Sequence, residues 1–394
     1  MKIKFKIFLS FWLILVFSPQ VLAVEEDPND YNYLKFLGET IEKNKSDYVD
    51  DVKNKELVES AIDGMLSSLD PHSSFLNAES LKKMKIQKKM NFSSYILGCG
   101  GYLPKKILTN NELSKKLNTS DEWITSRTGI KKRHIASDTE LNSDLAFNAA
   151  KRAIKNSKIK TSDIDLIILA TSTPDHTFPS TATKIQGKLG IKKGFAFDIQ
   201  AACSGFIYAM SVADNFLLNN QASNALVIGS EIFSRILDWN DRSTCILFGD
   251  GAGAIVLSKN KKMNSGIIST ELYSDGRFYD LLYVNGGVAF NQKAGHIKMK
   301  GREVFKHAVK KLVSCIQFNL KKNKLKKEDI DWIIPHQANK RIMDMTAIKL
   351  GVPKSKLLVT VDQYANTSTA SIPLTLDYAL SNKIMKRGQI IVFE

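Results

Sequence analysis

The chain has 394 residues, 43% of them hydrophobic and 24% charged, with 22 Gly, 9 Pro and 4 Cys. That composition excludes a disordered, collagen-like or disulfide-stapled protein, and the length suffices for two or three structural units around a buried core. The net charge of +16 is uneven: residues 1–89 carry 13 Lys against 14 acids, leaving 43 basic and 26 acidic residues in 90–394, a balance that attracts nucleic acid, anionic lipid or an acidic protein partner.

Residues 1–23 read as a secretory signal, with Lys2, Lys4 and Lys6, an apolar run from Ile7 to Phe17, and Val21 and Ala23 at the −3 and −1 positions of a cleavage site. The run is too short for a stable membrane span. Residues 31–85 carry a helical pattern in which Leu57, Val58, Ala61, Ile62, Met65, Leu66 and Leu69 recur at i, i+3, i+4 spacing until Asp70-Pro71, with His72 as a turn residue after the helix end. The stretch NYLKFLGETIEKN…YVDDVKNKELVESAIDGMLSSLDPHSSFL resembles the N-terminal helical segment of carboxyl-terminal processing peptidases. No PDZ-like segment or Ser/Lys catalytic region follows, so no peptidase activity is expected of residues 24–89, which close on a Lys-rich junction at 82–89.

From Met90 onward strands alternate with helices, the pattern of an α/β fold. Strands are predicted at Leu166–Ile168, Phe195–Ile199, Ala225–Ile228, Trp332–Ile334, Leu357–Val361 and Gln389–Val392, with helices over Leu145–Ile154, Ile207–Leu217 and Val304–Leu320. The sequence repeats itself: Thr161–Ile168 matches Glu328–Ile334, and Ala225–Ile228 matches Gln389–Val392 at nearly the same offset. Two homologous halves are therefore expected, 90–260 and 261–394. The same offset places the counterpart of segment 244–257 beyond residue 394, so the second half is expected to lack its last strands. The glycine clusters Gly98-Cys99-Gly100-Gly101 and Gly249-Asp250-Gly251-Ala252-Gly253 lack a full GxGxxG and read as tight turns between strands.

Cys99, Cys203, Cys245 and Cys315 form no CxxC pair and no cluster at metal-ligand spacing, so neither a metal nor a redox cofactor is expected, and a reducing compartment is. Cys203 differs from the other three. The strand Phe195–Ile199 runs through Gln200-Ala201-Ala202-Cys203-Ser204-Gly205 into an apolar helix, a placement at a helix N-terminus that favours a thiolate. The strand ending at Ile334 delivers Pro335-His336-Gln337-Ala338-Asn339, and the repeat makes Asn366 the counterpart of Cys203. A duplicated fold brings Cys203, His336 and Asn366 toward a common pocket. Papain-like hydrolases use the same residue types, but their CGSCW-like signature is absent and a doubled α/β pattern surrounds these residues.

With DEWITSRTGIKKRHI, FPSTATKIQGKLG, AACSGFIYAMSVAD, DWNDRSTCILFGDGAGA, GREVFKHAV, PHQAN and YANTSTASIP in this order, residues 90–394 resemble the β-ketoacyl-acyl carrier protein synthase III family. The resemblance implies a thiolase-like duplicated αβαβα fold behind the small all-α segment. It implies an acyltransferase that starts fatty-acid synthesis, condensing acetyl-CoA with malonyl-acyl carrier protein without a cofactor. Cys203 would be the nucleophile, with His336 and Asn366 as donors to the malonyl thioester. Trp123 and Arg242 would bracket the adenine of coenzyme A beside Arg127 and Thr128. Gly301 and Asn339 would line the pantetheine tunnel, and Phe178 would reach the partner's acyl pocket in a homodimer. Lys306, Arg341 and Lys349 would dock the acidic carrier protein, and with no aromatic-basic motif in the sequence no nucleic-acid partner is expected. In that family a C-terminal glycine-rich loop completes the oxyanion hole, and its absence predicts a weakly active or poorly stable chain. The alternative is an impaired fusion that binds coenzyme A or dimerises without turnover. A synthase of this kind belongs in the cytoplasm, whereas the signal-like start argues for export.

Overall fold

The computed structural model describes residues 30–47, 53–69, 81, 93–259 and 265–394. The signal-like segment, the Asp70-Pro71 stop, His72 and the junction at 82–89 lie outside them. The described residues fall into two units, divided at residues 81 and 82.

The first unit holds the helices Asp30–Asp47 and Asn54–Leu69. The second matches the 3.6-residue spacing of Leu57, Ala61, Ile62 and Leu69, and Glu56 in its first turn complements the helix dipole. Tyr31, Tyr33, Phe36 and Met65 are exposed.

The second unit is built on a five-stranded sheet comprising β1 (Ser94–Tyr102), β4 (Leu166–Ala170), β5 (Phe195–Ile199), β6 (Asn224–Glu231) and β7 (Gly251–Lys259), in the order β1-β7-β6-β4-β5. Two antiparallel pairs lie outside it, β2 (Lys106–Thr109) with β3 (Lys132–Ile135) and β8 (Leu282–Val284) with β9 (Ile297–Met299). β4 runs parallel to both β5 and β6, whereas β7 is antiparallel to β6 and β1. Every residue of β4 is buried, so its alternation serves two apolar faces. Ile167 and Leu169 pack with Leu145, Ala149 and Ala153 of helix Asn142–Ser157. Leu166, Ile168 and Ala170 pack with Phe206, Ala209 and Ala213 of helix Gly205–Leu218 and with Ile372 and Leu376 of helix Ser371–Ser381. That second core also takes up Ile334 and Leu358, against which Trp332, Ile391 and Phe393 pack.

The strands β10 (Trp332–Ile334) and β11 (Ile391–Phe393) form a parallel pair, and Ile333 bridges in parallel to Leu357. Segment 357, β10 and β11 thus repeat the spatial order of β5, β4 and β6, as the sequence repeat predicts. Beyond them lie helices Gly301–Lys322 and Lys340–Leu350, whose Ile316, Leu320, Met343 and Ala347 cover Ile333. The layers are helix, sheet, paired helices, sheet, helices, an αβαβα stack.

Two expectations are corrected. Gly98, Gly100 and Gly101 lie within β1, and Gly251 and Gly253 within β7, rather than in turns. A Cβ on Gly100 would stand 2.4 Å from the Ala153 backbone nitrogen, and one on Gly253 would stand 2.7 Å from the Pro373 Cβ. Glycine is needed there so that helices can press onto the sheet. Residues 357–361 form no strand beyond the bridge at Leu357. The backbone N–H groups of Thr360 and Val361 donate instead to Gln337 Oε1, at 2.8 and 3.1 Å.

Candidate active site

Three chain turns converge, after β5, after β10 and after segment 357–360, the counterpart of β5 in the second half. After β5, Ala202 takes a positive φ of 43°, and the short helical turn Ala202–Ser204 sets Cys203 ahead of helix Gly205–Leu218. After β10, His336 lies with its N–H donating to the Glu394 carbonyl at 2.6 Å. After segment 357–360, Asn366 is clamped into the first half, its N–H donating to the Leu247 carbonyl and its carbonyl accepting from the Gly249 N–H, both at 3.0 Å.

Cys203 and His336 line one cavity of about 780 Å³, together with Ile207, Tyr208 and Met210. Asn366 is not among its lining residues and is only 5% exposed. Ser368 links it to the nucleophile: its N–H donates to Asn366 Oδ1 at 2.9 Å, and its hydroxyl donates to Cys203 Sγ at 3.8 Å. With Oδ1 occupied in this way, the Nδ2 amide is the end of Asn366 left to act as a donor.

The titration of Cys203 runs opposite to expectation. Burial pushes the thiol above its ordinary value, against weaker downward pulls from Ser368 and its own backbone N–H. Desolvation outweighs the helix terminus. Burial also pulls His336 down to about 4, against an upward pull from the Ser368 backbone, so the imidazole is neutral at physiological pH. Cys99 and Cys245 are buried, as a small apolar residue would be, and Cys315 is part-exposed; all four thiols are free.

The other sequence-derived residues occupy a second cluster and the surface. The Arg242 and Arg127 guanidinium carbons lie 4.5 and 5.2 Å from the Trp123 ring centroid. Thr128 is buried with its hydroxyl committed within the chain, donating to the Ile124 carbonyl at 2.7 Å and accepting from the Ile130 N–H at 3.0 Å. Asn339 caps helix Lys340–Leu350 through Arg341 N–H and donates to the Arg127 carbonyl at 3.3 Å, tying the PHQAN turn to the Trp123 helix. Gly301 starts helix Gly301–Lys322, and a Cβ added to it would meet only the Met299 methyl, at 3.5 Å. Phe178 is 83% exposed. Lys306, Arg341 and Lys349 are exposed on two packed helices, and Arg341 stands 5.7 Å from the Phe305 ring centroid.

Four supporting residues carry no sequence signal of their own. Gln337, 1% exposed, staples the His336 turn to segment 358–361. Ser368 and Ser371 touch Cys203 and His336. Glu231, at the end of β6, is fully buried and accepts from Thr173 Oγ1 at 2.6 Å and from the Ser172 N–H at 3.1 Å, and burial pushes its carboxyl up to about 8. Among the described residues no group of three or more His, Cys, Asp or Glu could hold a metal ion.

This geometry has counterparts in known proteins. Residues 197–276 match the family model of 3-oxoacyl-[acyl-carrier-protein (ACP)] synthase III, and residues 320–394 match its C-terminal model. The β-ketoacyl-[acyl-carrier-protein] synthase III of Paramagnetospirillum magneticum is 56% identical over 305 residues, which cover 76% of this chain and 94% of that protein. The chain belongs to this family. The Ehrlichia canis synthase III is 58% identical over 299 residues, again 76% of this chain and 94% of the relative. The crystal structure of the Aquifex aeolicus synthase III superposes with a TM-score of 0.73 at 47% identity, covering 76% of this chain and 94% of that one. Residues 23–80 separately match the N-terminal domain of the activating protease CtpB, in accord with the peptidase-like reading of the first unit.

Proposed function

We propose that Cys203, His336 and Asn366 carry out the initiating condensation of fatty-acid synthesis, an acyltransferase reaction, within this synthase III chain. The observation that carries the reading is the convergence of the three chain turns, with Cys203 and His336 on one cavity and Asn366 joined to Cys203 through Ser368.

In the first half-reaction Cys203 sulfur attacks the thioester carbonyl of acetyl-CoA. The S–acyl bond to the enzyme forms, the bond to coenzyme A breaks, and the cysteine proton leaves on the departing thiol. In the second, malonyl-acyl carrier protein loses CO2, and the electron pair of the broken C–C bond passes into an enolate on the thioester. Neutral His336 and the Asn366 amide donate to that developing oxyanion, each preorganised donor contributing ~3 kcal/mol. The enolate carbon then attacks the acetyl carbonyl and expels Cys203 as the thiolate, which takes a proton from solvent, giving β-ketoacyl-acyl carrier protein and the free enzyme.

The stacked Arg242, Trp123 and Arg127 suit a purine and its phosphates, and Asn339 and Gly301 would line the pantetheine tunnel. Lys306, Arg341 and Lys349 fit an acidic carrier-protein helix. An exposed Phe178 and the partly exposed edge strand β5 fit a homodimer. The synthase unit belongs in the cytoplasm, where the carrier protein is; no described helix is long and apolar enough to cross a membrane. Residues 90–260 and 261–394 form its two halves, following the helical segment 24–89 in the chain.

The test is product analysis. The full-length chain with acetyl-CoA and malonyl-acyl carrier protein should release CO2 and form the β-ketoacyl product only when both substrates are present, and C203S should form none. A wild-type chain that folds, binds acetyl-CoA and yields no product would overturn the assignment.

A further inference from the structure

Ser371 is the first residue of helix Ser371–Ser381 and is 2% exposed. Its Oγ lies 2.7 Å from His336 Nδ1 and accepts from the Gln337 backbone N–H at 3.3 Å. A serine hydroxyl offers one proton and two acceptor positions. The Gln337 N–H takes one acceptor position, and among the described hydrogen bonds His336 Nδ1 is the one acceptor within reach of the hydroxyl proton. A neutral imidazole carries one N–H and one lone pair, and the partner of one ring nitrogen fixes the state of the other.

We propose that Ser371 is a positioning residue that donates its hydroxyl to Nδ1 and thereby holds neutral His336 as the Nε2–H tautomer. The inference rests on the reading that His336 donates to the malonyl thioester oxygen. In the opposite tautomer the ring would donate into Ser371, and Nε2 would present a lone pair to an oxygen that gains negative charge. The Gln337 staple adds to the arrangement. Its Oε1 accepts from Thr360 and Val361 and its Nε2 donates to the Pro335 and Leu358 carbonyls, so the backbone N–H that reaches Ser371 is itself held. The tautomer is thus set from the helix Ser371–Ser381 and the turn after β10 together.

The experiment uses the ¹⁵N-labelled full-length chain at neutral pH. Long-range ¹H–¹⁵N correlation spectra of the wild type, S371A and S371T are compared, with His336 assigned by its loss in H336N. The wild type and S371T should give the Nε2–H pattern at His336, and S371A a mixture containing Nδ1–H. In parallel, S371A should slow CO2 release from malonyl-acyl carrier protein by about tenfold or more relative to its effect on acetyl transfer to Cys203, and S371T should recover it. An Nδ1–H pattern in the wild type overturns the proposal without any variant, and so does an unchanged tautomer in folded S371A. A wild type with the Nε2–H pattern, lost in S371A, but no CO2 release supports the tautomer assignment and overturns the condensing reading instead.

Discussion

His336 makes the stability of the protein depend on pH in a calculable way. Its folded-state value is about 4, against 6.5 for an ordinary imidazole, with burial as the cause. Between these values the unfolded chain binds a proton that the folded chain does not, so stability falls as the pH drops through that window and is fully present above it. The difference of about 2.5 units corresponds to about 3 kcal/mol, most of it lost by about pH 4.5. H336N keeps a polar side chain and removes the titration. Urea unfolding of wild type and H336N at about pH 7.5 and about pH 4.5 isolates the contribution, because acidic groups common to both proteins cancel. The wild type should lose about 2 to 3 kcal/mol more than the variant on acidification. Equal losses would mean that His336 titrates as an exposed imidazole, and a neutral donor in a desolvated cavity would be refuted.

Three other perturbations probe the architecture and the site. G100A places a Cβ 2.4 Å from the Ala153 nitrogen and should destabilise the fold by ~1–3 kcal/mol, whereas G187A, whose added methyl meets nothing within 4 Å in helix Thr181–Lys188, should stabilise it by ~0.5–1 kcal/mol; thermal unfolding measures both. N366A removes one preorganised donor and should slow CO2 release from malonyl-acyl carrier protein by ~10²–10³ in single-turnover assays; a loss below tenfold would remove Asn366 from the catalytic set. R242A breaks the 4.5 Å stack on Trp123 and should raise KM for acetyl-CoA by about 3- to 30-fold, the worth of one cation–π contact, with kcat little changed.

Much of the architecture is legible in the residues because it follows from period and repetition. Leu166–Ile168 and Ala225–Ile228 are apolar on both faces, as buried strands are, and the repeat places β10 and β11 beside a segment equivalent to β5. The features that escape a reading of the residues depend on through-space partners. Residues 357–361 have strand composition, but the side chain of Gln337 takes the N–H groups that a strand would pair. The glycines at 98–101 look like turn formers, yet their role is set by helices distant in the chain, Asn142–Ser157 against Gly98 and Gly100 and Ser371–Ser381 against Gly101. The same holds at the site. Cys203, His336 and Asn366 stand out by type and position, whereas Ser368, Ser371, Gln337 and Glu231 are ordinary residues until the fold sets them beside the first three. The sign of the Cys203 shift is hidden for a related reason, since the helix terminus is visible in sequence and the desolvation around the sulfur is not.

The whole mechanism depends on Cys203 being an acyl-accepting nucleophile served by this cavity. Mass spectrometry of the full-length chain after incubation with acetyl-CoA, with C203S beside it, tests this most directly. One acetyl group is expected on Cys203, absent from C203S and discharged when malonyl-acyl carrier protein is added. A folded chain that takes up no acetyl group, or takes it up elsewhere, contradicts it.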